Sequence, residues 1–128
     1  MKLLLDTCTF LWAIGQAEQL SPKAREALEN SNNALYFSQI SMWEIQLKFL
    51  RGNLQLTDSP EAIITEGLRL HDIEQTPLDN RAIWHLAKLP THHKDPFDRM
   101  LIASALYHGM QMVTPDPEIA KYPVPVIW

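Results

Sequence analysis

An α/β fold built on a parallel sheet is what this sequence predicts, and three observations predict it. Short apolar runs alternate with segments of helical periodicity along the whole chain. The first run, Leu3-Leu4-Leu5, has no polar face, the pattern of a strand covered on both sides. Helix-start pairs recur between the runs, at Ser21-Pro22, Ser59-Pro60, Asp95-Pro96 and Asp116-Pro117.

Each element follows in order. Leu3 to Leu5 is the first strand and ends at Asp6-Thr7. Phe10, Leu11 and Ile14 recur at helical spacing up to Gly15. Ser21 caps a helix over Lys23 to Glu29, which stops at the polar loop Asn30 to Asn33. Ala34 to Gln39 favours β structure and is the second strand. Ser41 starts the next helix, which ends at Arg51-Gly52-Asn53 with Gly52 as its C-terminal cap. A helix over Ala62 to Leu70 precedes a third strand, Asp72 to Thr76. Asp79 caps a helix running to about Lys88, and Leu89 to Lys94 is a loop. Asp95-Pro96 opens a helix with Leu101, Ile102, Ala105 and Leu106 on one face and Gly109 at its end. Met110 to Thr114 is the fourth strand, Asp116-Pro117 opens one helical turn, and Val124 to Trp128 is the last strand.

The 128 residues suit one domain, residues 1–128. At 46% hydrophobic and 20% charged, the composition is that of a globular chain. No apolar run approaches the roughly 18–20 residues of a membrane helix, so no membrane role is expected. The lone Cys8 has no disulfide partner within the chain, which makes a reducing cytoplasm the expected location. A formal charge of −4 excludes a simple basic nucleic-acid glove. Neither GxGxxG nor GxxxxGK[ST] occurs, so dinucleotide and P-loop readings lack their phosphate cradle.

Four acids share one feature. Asp6 ends the first strand, Glu44 falls in the first turn after the second, Asp98 in the first turn of the helix before the fourth, and Asp116 after the fourth. In a parallel sheet the C-terminal strand ends share one edge, where ligands bind. Carboxylates gathered there repel one another unless a hard cation bridges them, and an all-oxygen set suits Mg²⁺ or Mn²⁺. Such a site activates water and clamps a phosphate. Capping is the competing account. Acids favour helix N-termini, and Ser41-x-x-Glu44 is a formal capping box. Capping accounts for any acid taken singly except Asp6; the case for a site is the set of four.

Other residues carry less. Thr7, Ser41 and Thr114 are candidates for water or phosphate binding, or for caps. Asp95 is a candidate fifth acid of the site, with the N-cap role favoured. His92-His93-Lys94 with Arg99 makes a small basic patch, its histidines read as solvated, and Lys48 and Arg51 share the helix of Glu44. Cys8 reads as core, and the four tryptophans as core or interface anchors. A non-catalytic interaction module, its acids serving only as caps, stays open beside the metal site. A phosphotransfer domain would need a strand ending in Lys, and no strand here does.

The segments LLLDTCTFLWA (Leu3–Ala13), LSPKAREAL (Leu20–Leu28), SQISMWEIQLK (Ser38–Lys48), LPTHHKDPFDRMLIASAL (Leu89–Leu106) and VTPDPEIAKYPVPVIW (Val113–Trp128) together carry a resemblance. The chain resembles the PIN-domain ribonucleases, and more closely the VapC-like toxins of bacterial type II toxin–antitoxin pairs. The resemblance covers nearly the whole chain, and the ordered set of LLDT, SxWEI and DPFDRxLIA is what makes it specific. It implies a three-layer α/β/α sandwich with a parallel sheet. It implies metal-dependent endonucleolytic cleavage of RNA, leaving a 5′-phosphate and a 3′-hydroxyl. The family's acidic positions fall on Asp6, Glu44, Asp98 and Asp116, with Thr7 and Thr114 as polar neighbours. Mg²⁺ or Mn²⁺ is the implied cofactor, and Lys48, Arg51, Lys94 and Arg99 the residues nearest the RNA backbone. The implied partners are a small antitoxin that reaches into the acidic groove and a second copy of the chain, with aromatics such as Trp12 at the contact.

Overall fold

The computed structural model describes residues 1–128. Its centre is a five-stranded parallel sheet of β1 (Lys2–Leu5), β2 (Ala34–Ser38), β3 (Ile73–Thr76), β4 (Gln111–Val113) and β5 (Val126–Ile127). The spatial order is β3-β2-β1-β4-β5, and every pairing is parallel. The helices are α1 (Thr7–Gly15), α2 (Pro22–Glu29), α3 (Gln39–Leu50), α4 (Pro60–Leu70), α5 (Asn80–His85) and α6 (Pro96–His108). Short 3₁₀ turns lie at Ala17–Gln19, Leu86–Lys88 and Ile119–Lys121. No helix is long and apolar enough to cross a membrane.

The sheet is covered on both faces, which is why β1 carries no polar side chain beyond Lys2. Successive strand residues point to opposite faces. Leu4 and Met112 pack with Leu101, Ile102 and Ala105 of α6 and Ala82 of α5. Leu5, Phe10, Phe37, Ile45 and Ile64 form the other face under α1, α3 and α4, with Leu3, Ala24 and Val113 beside them under α2. These are the three layers of an α/β/α sandwich. Helix α3 reaches into both layers, Ile40 in one and Ile45 in the other, so it passes over the C-terminal edge of the sheet. Glu44 lies between those two anchors.

Local chemistry sets the helix ends. Ser21, Ser59, Asp79 and Asp95 cap α2, α4, α5 and α6 through their side chains, as the sequence predicts. Gly109 ends α6 at φ +67°, where a side chain would be strained, and Met110 N–H returns to Ala105 O at 2.8 Å. Gly67 lets α4 approach α1; a Cβ there would fall 3.0 Å from Ile14 Cδ1 and Cγ2.

Three expectations need correction. Helix α3 begins at Gln39, not Ser41, because the Ser38 hydroxyl accepts the Ile40 N–H at 3.0 Å. The Ser41-x-x-Glu44 capping box therefore does not form, and Glu44 is the sixth residue of the helix rather than in its first turn. Helix α1 begins at Thr7, so Asp6 is itself its N-cap. Of the two readings of the tryptophans, core or interface anchor, only the second stays open for Trp43 and Trp84, which stand 61% and 74% exposed.

Candidate metal centre

Chain topology gathers the acids. The chain leaves β1 for β2 on one side of the sheet and returns through β4 on the other. The crevice between the β1 and β4 ends is the point where a parallel sheet offers a ligand site. Asp6 stands on one side of it and Asp116 on the other. Asp98 enters from the first turn of α6, and Glu44 from α3 passing over the edge. All four line a cavity of about 370 Å³, together with Asp95, Lys48 and Thr7.

Asp6 is 5% exposed and held at both oxygens. Its Oδ1 accepts the Thr9 N–H at 2.9 Å, and its Oδ2 accepts the Thr114 hydroxyl at 2.5 Å. Capping and site membership thus coexist in one carboxylate. Glu44 is 4% exposed; its Oε1 accepts the Thr7 hydroxyl at 2.5 Å, and its Oε2 meets Lys48 Nζ at 2.6 Å. Ser41 Oγ, fully buried, lies 2.9 Å from Thr7 Oγ1 and completes that support. Neither Glu44 nor Asp98 caps a helix. Asp95 caps α6, through Oδ1 to the N–H groups of Phe97 and Asp98. Asp116 Oδ1 accepts the Glu118 N–H at 2.9 Å and so caps a turn.

The electrostatics are those of a site short of positive charge. Burial raises the Asp6 carboxyl above its ordinary value, against the hydrogen bonds from Thr114 and Thr9. Burial, then the charges of Asp95 and Glu44, push Asp98 up to about 7, with His93 pulling the other way. Burial, then Asp6, pushes the Cys8 thiol up to about 12, which leaves it inert as a nucleophile. The hydrogen bond to Glu44 raises Lys48. Hard oxygen donors converging from four elements, with a single ammonium among them, fit a divalent cation.

Basic residues divide. Lys48 is in the cleft and half exposed. Arg51 and Lys94 lie in solvent. Arg99 is turned away from the cleft and braces a loop, where its Nη1 donates to Pro90 O at 2.7 Å and to the Tyr122 hydroxyl at 3.2 Å.

One residue read as solvated belongs to the site. His93 is only 16% exposed, and its Nε2 lies 3.2 Å from Asp116 Oδ2 and 2.9 Å from Asp98 Oδ2. The three groups are close enough to share one ion. No sequence spacing announces this, because the loop is held by Tyr122, which lies 29 residues further on.

A PIN domain model matches residues 3–125. The chain belongs to the PIN domain family. No curated protein matches it in sequence. This PIN domain shares its fold with VapBC2 from Rickettsia felis, a complex bound to a DNA fragment from their promoter. The identity is 16% and the TM-score 0.76, covering 98% of this chain and 97% of that one. It is also similar to DNA-bound VapBC from Salmonella typhimurium, at 21% identity and TM-score 0.69, over 98% and 96% of the two chains. VapBC-5 from Mycobacterium tuberculosis, a member of the VapBC toxin–antitoxin family, aligns at 17% identity and TM-score 0.60, over 98% and 94%.

Proposed function

We propose that this PIN domain is a VapC-like toxin, an endoribonuclease dependent on Mg²⁺ or Mn²⁺. The observation that carries the reading is the convergence of Asp6, Glu44, Asp98 and Asp116 on one cavity at the switch point of the sheet. Family membership supports it, since PIN domains are generally nucleases. Similarity in fold to VapBC complexes supports the toxin–antitoxin setting.

Asp6, Glu44 and Asp98 would hold the ion, directly or through water, and Asp116 would help hold it or a second one. The ion supplies Lewis-acid chemistry, acidifying water and offsetting charge on the scissile phosphodiester. The chain supplies the rest. Thr9 and Thr114 fix Asp6, and Thr7 with Lys48 fixes Glu44, so two carboxylates are oriented before substrate arrives. A carboxylate of the cluster, Asp6 or Asp98, would accept the proton of the attacking water. Water oxygen bonds to phosphorus in line with the breaking P–O3′ bond, leaving a 5′-phosphate and a 3′-hydroxyl. Lys48 at the cleft and the exposed Arg51 and Lys94 are the cations available to the RNA backbone, whereas Arg99 is committed to the loop. Setting aside the four acids takes the formal charge from −4 to 0, so the remaining surface does not repel RNA as a whole.

A small antitoxin is the proposed inhibitor. An apolar cleft of about 430 Å³, lined by Leu11, Trp12, Ile14, Leu54, Leu56 and Ile63, adjoins the acidic cavity and shares Cys8, Leu11 and Leu54 with it. A segment with apolar residues followed by an Arg or Lys fits both compartments. A homodimer belongs to the same reading, with Trp43, Trp84 and Tyr107 the exposed aromatics available for contact; Trp12 instead packs on Trp128 at 5.9 Å.

The competing reading, an interaction module whose acids only cap, draws on Asp6 and Asp116, which do cap. Glu44 and Asp98 have no such role. Purified protein free of inhibitor should cleave RNA with Mg²⁺ or Mn²⁺ and stop in excess EDTA. Cleavage that continues in EDTA contradicts the metal reading, and no cleavage under any divalent ion favours the module.

A further inference from the structure

We infer that His93 is a positioning residue of the metal centre, a fixed N–H donor that holds the Asp116 carboxylate beside Asp98. The inference rests on reading the acid cluster as a metal centre. Two observations carry it: how the ring is held, and which of its nitrogens carries the proton.

The loop that brings His93 to the acids is fastened at several points. The His93 backbone N–H donates to the Tyr122 hydroxyl at 2.8 Å. Arg99 Nη1 donates to that hydroxyl at 3.2 Å and to Pro90 O at 2.7 Å. The His92 ring meets the Tyr122 ring edge to face, with centroids 5.3 Å apart. Tyr122 is 3% exposed, so the anchor itself is packed in the core. A side chain on a loop so pinned loses little freedom on acting, the condition for a precise supporting contact.

The proton is located by accounting. The Asp95 backbone N–H donates to His93 Nδ1 at 3.2 Å. An N–H at Nδ1 would oppose that donor, so Nδ1 accepts and the ring proton sits on Nε2. Nε2 faces Asp116 Oδ2 in a hydrogen bond at 3.2 Å and has Asp98 Oδ2 2.9 Å away. Asp98 sits on α6, and Asp116 on the loop after β4; the imidazole is the contact that ties the two acids together. Direct ligation of a metal would need the lone pair of Nε2, a proton moved to Nδ1, and loss of the Asp95 contact. The Asp95 N–H therefore favours a supporting donor over a ligand. Donors of this kind typically change metal affinity by roughly 10–100-fold when removed.

The test uses the whole chain and Mn²⁺ as the probe. Affinity is measured by calorimetry for the parent, His93→Ala and His93→Gln, with melting in EDTA as the check of folding. Gln places an amide N–H near the position of Nε2. The parent should bind, His93→Ala should bind roughly 10–100-fold more weakly, and His93→Gln should recover most of the loss. Pulsed EPR of bound Mn²⁺ should show no directly bonded nitrogen. Equal affinity of His93→Ala and the parent overturns the inference, as does no recovery in a folded His93→Gln. A directly bonded nitrogen lost in His93→Ala also overturns it, by making His93 a ligand. A parent that binds no Mn²⁺ overturns the metal reading itself, a failure distinguishable from the others.

Discussion

Thr114 serves two groups with one hydroxyl. It donates to Asp6 Oδ2 and accepts the Asp116 N–H at 3.1 Å, so it links the acids on either side of the crevice while 1% exposed. Removing a partner from a buried polar pair costs more than the pair contributes, since the group left behind stays desolvated. Thr114→Val keeps the shape and deletes the hydroxyl. It should destabilise the metal-free protein by about 1–3 kcal/mol, read by urea denaturation in EDTA at neutral pH; unchanged stability would show that the hydroxyl is not needed to hold Asp6. At this scale the sequence was informative in part. Asp6, directly after an apolar run, announces itself, and Asp98 and Asp116 sit beside helix-start signals. His93 does not, because its place depends on Tyr122 and Asp116, both more than 20 residues away in sequence. Arg99 looked free for RNA only because its acceptors, Pro90 O and the Tyr122 hydroxyl, have no sequence signature.

Helix registers show why the element scale was legible except at one start. Apolar strands and Ser-Pro or Asp-Pro starts locate most elements, since capping and burial are local or periodic. Helix α3 misled because Ser41 is a credible cap by its own chemistry, and Ser38 and Gln39 extend a β-favouring run. The Ser38 cap and tertiary packing act together: Ser38 Oγ accepts the Ile40 N–H, and Ile40 is buried in the core. The shift removes the capping box and frees Glu44 for the cavity. Helix α6 yields the complementary prediction. Asp95 Oδ1 caps it through two N–H groups, so Asp95→Ala should cost about 1 kcal/mol and Asp95→Asn a few tenths at most. Both should retain the melting response to Mg²⁺, as measured by thermal melting. Loss of that response in Asp95→Asn would make Asp95 a fifth ligand instead of a cap.

For the whole molecule the decisive property is charge gathered where the topology allows no alternative. The strand order places the β1 and β4 ends side by side, which brings Asp6 and Asp116 together, and α3 and α6 add Glu44 and Asp98. Alternation of strands and helices made the parallel sheet legible; the order of the strands rests on long-range pairing that no local pattern records. The cost of the cluster should appear in the pH dependence of stability. The Asp98 carboxyl is raised from 3.8 to about 7 in the folded protein, and Asp6 is raised as well. A raised carboxyl favours folding most when protonated, so its contribution is full below about pH 4 and lost as pH rises through 7. In EDTA the protein should therefore melt higher at pH 5 than at pH 8, and Mg²⁺ should restore more stability at pH 8, where the ligands are ionised. A chelated protein whose melting temperature climbs from pH 5 to pH 8 would contradict the crowded cluster. The most direct measurement compares the thermal melting of the parent and Asp98→Asn at neutral pH, each with and without Mg²⁺. The substitution removes a repelling charge and a proposed ligand together, and no cap is lost with it. The metal-free melting temperature should hold or rise while the shift on adding Mg²⁺ shrinks, because a weaker site gains less by mass action. An Asp98→Asn protein with the parent's full response to Mg²⁺ would contradict the metal centre.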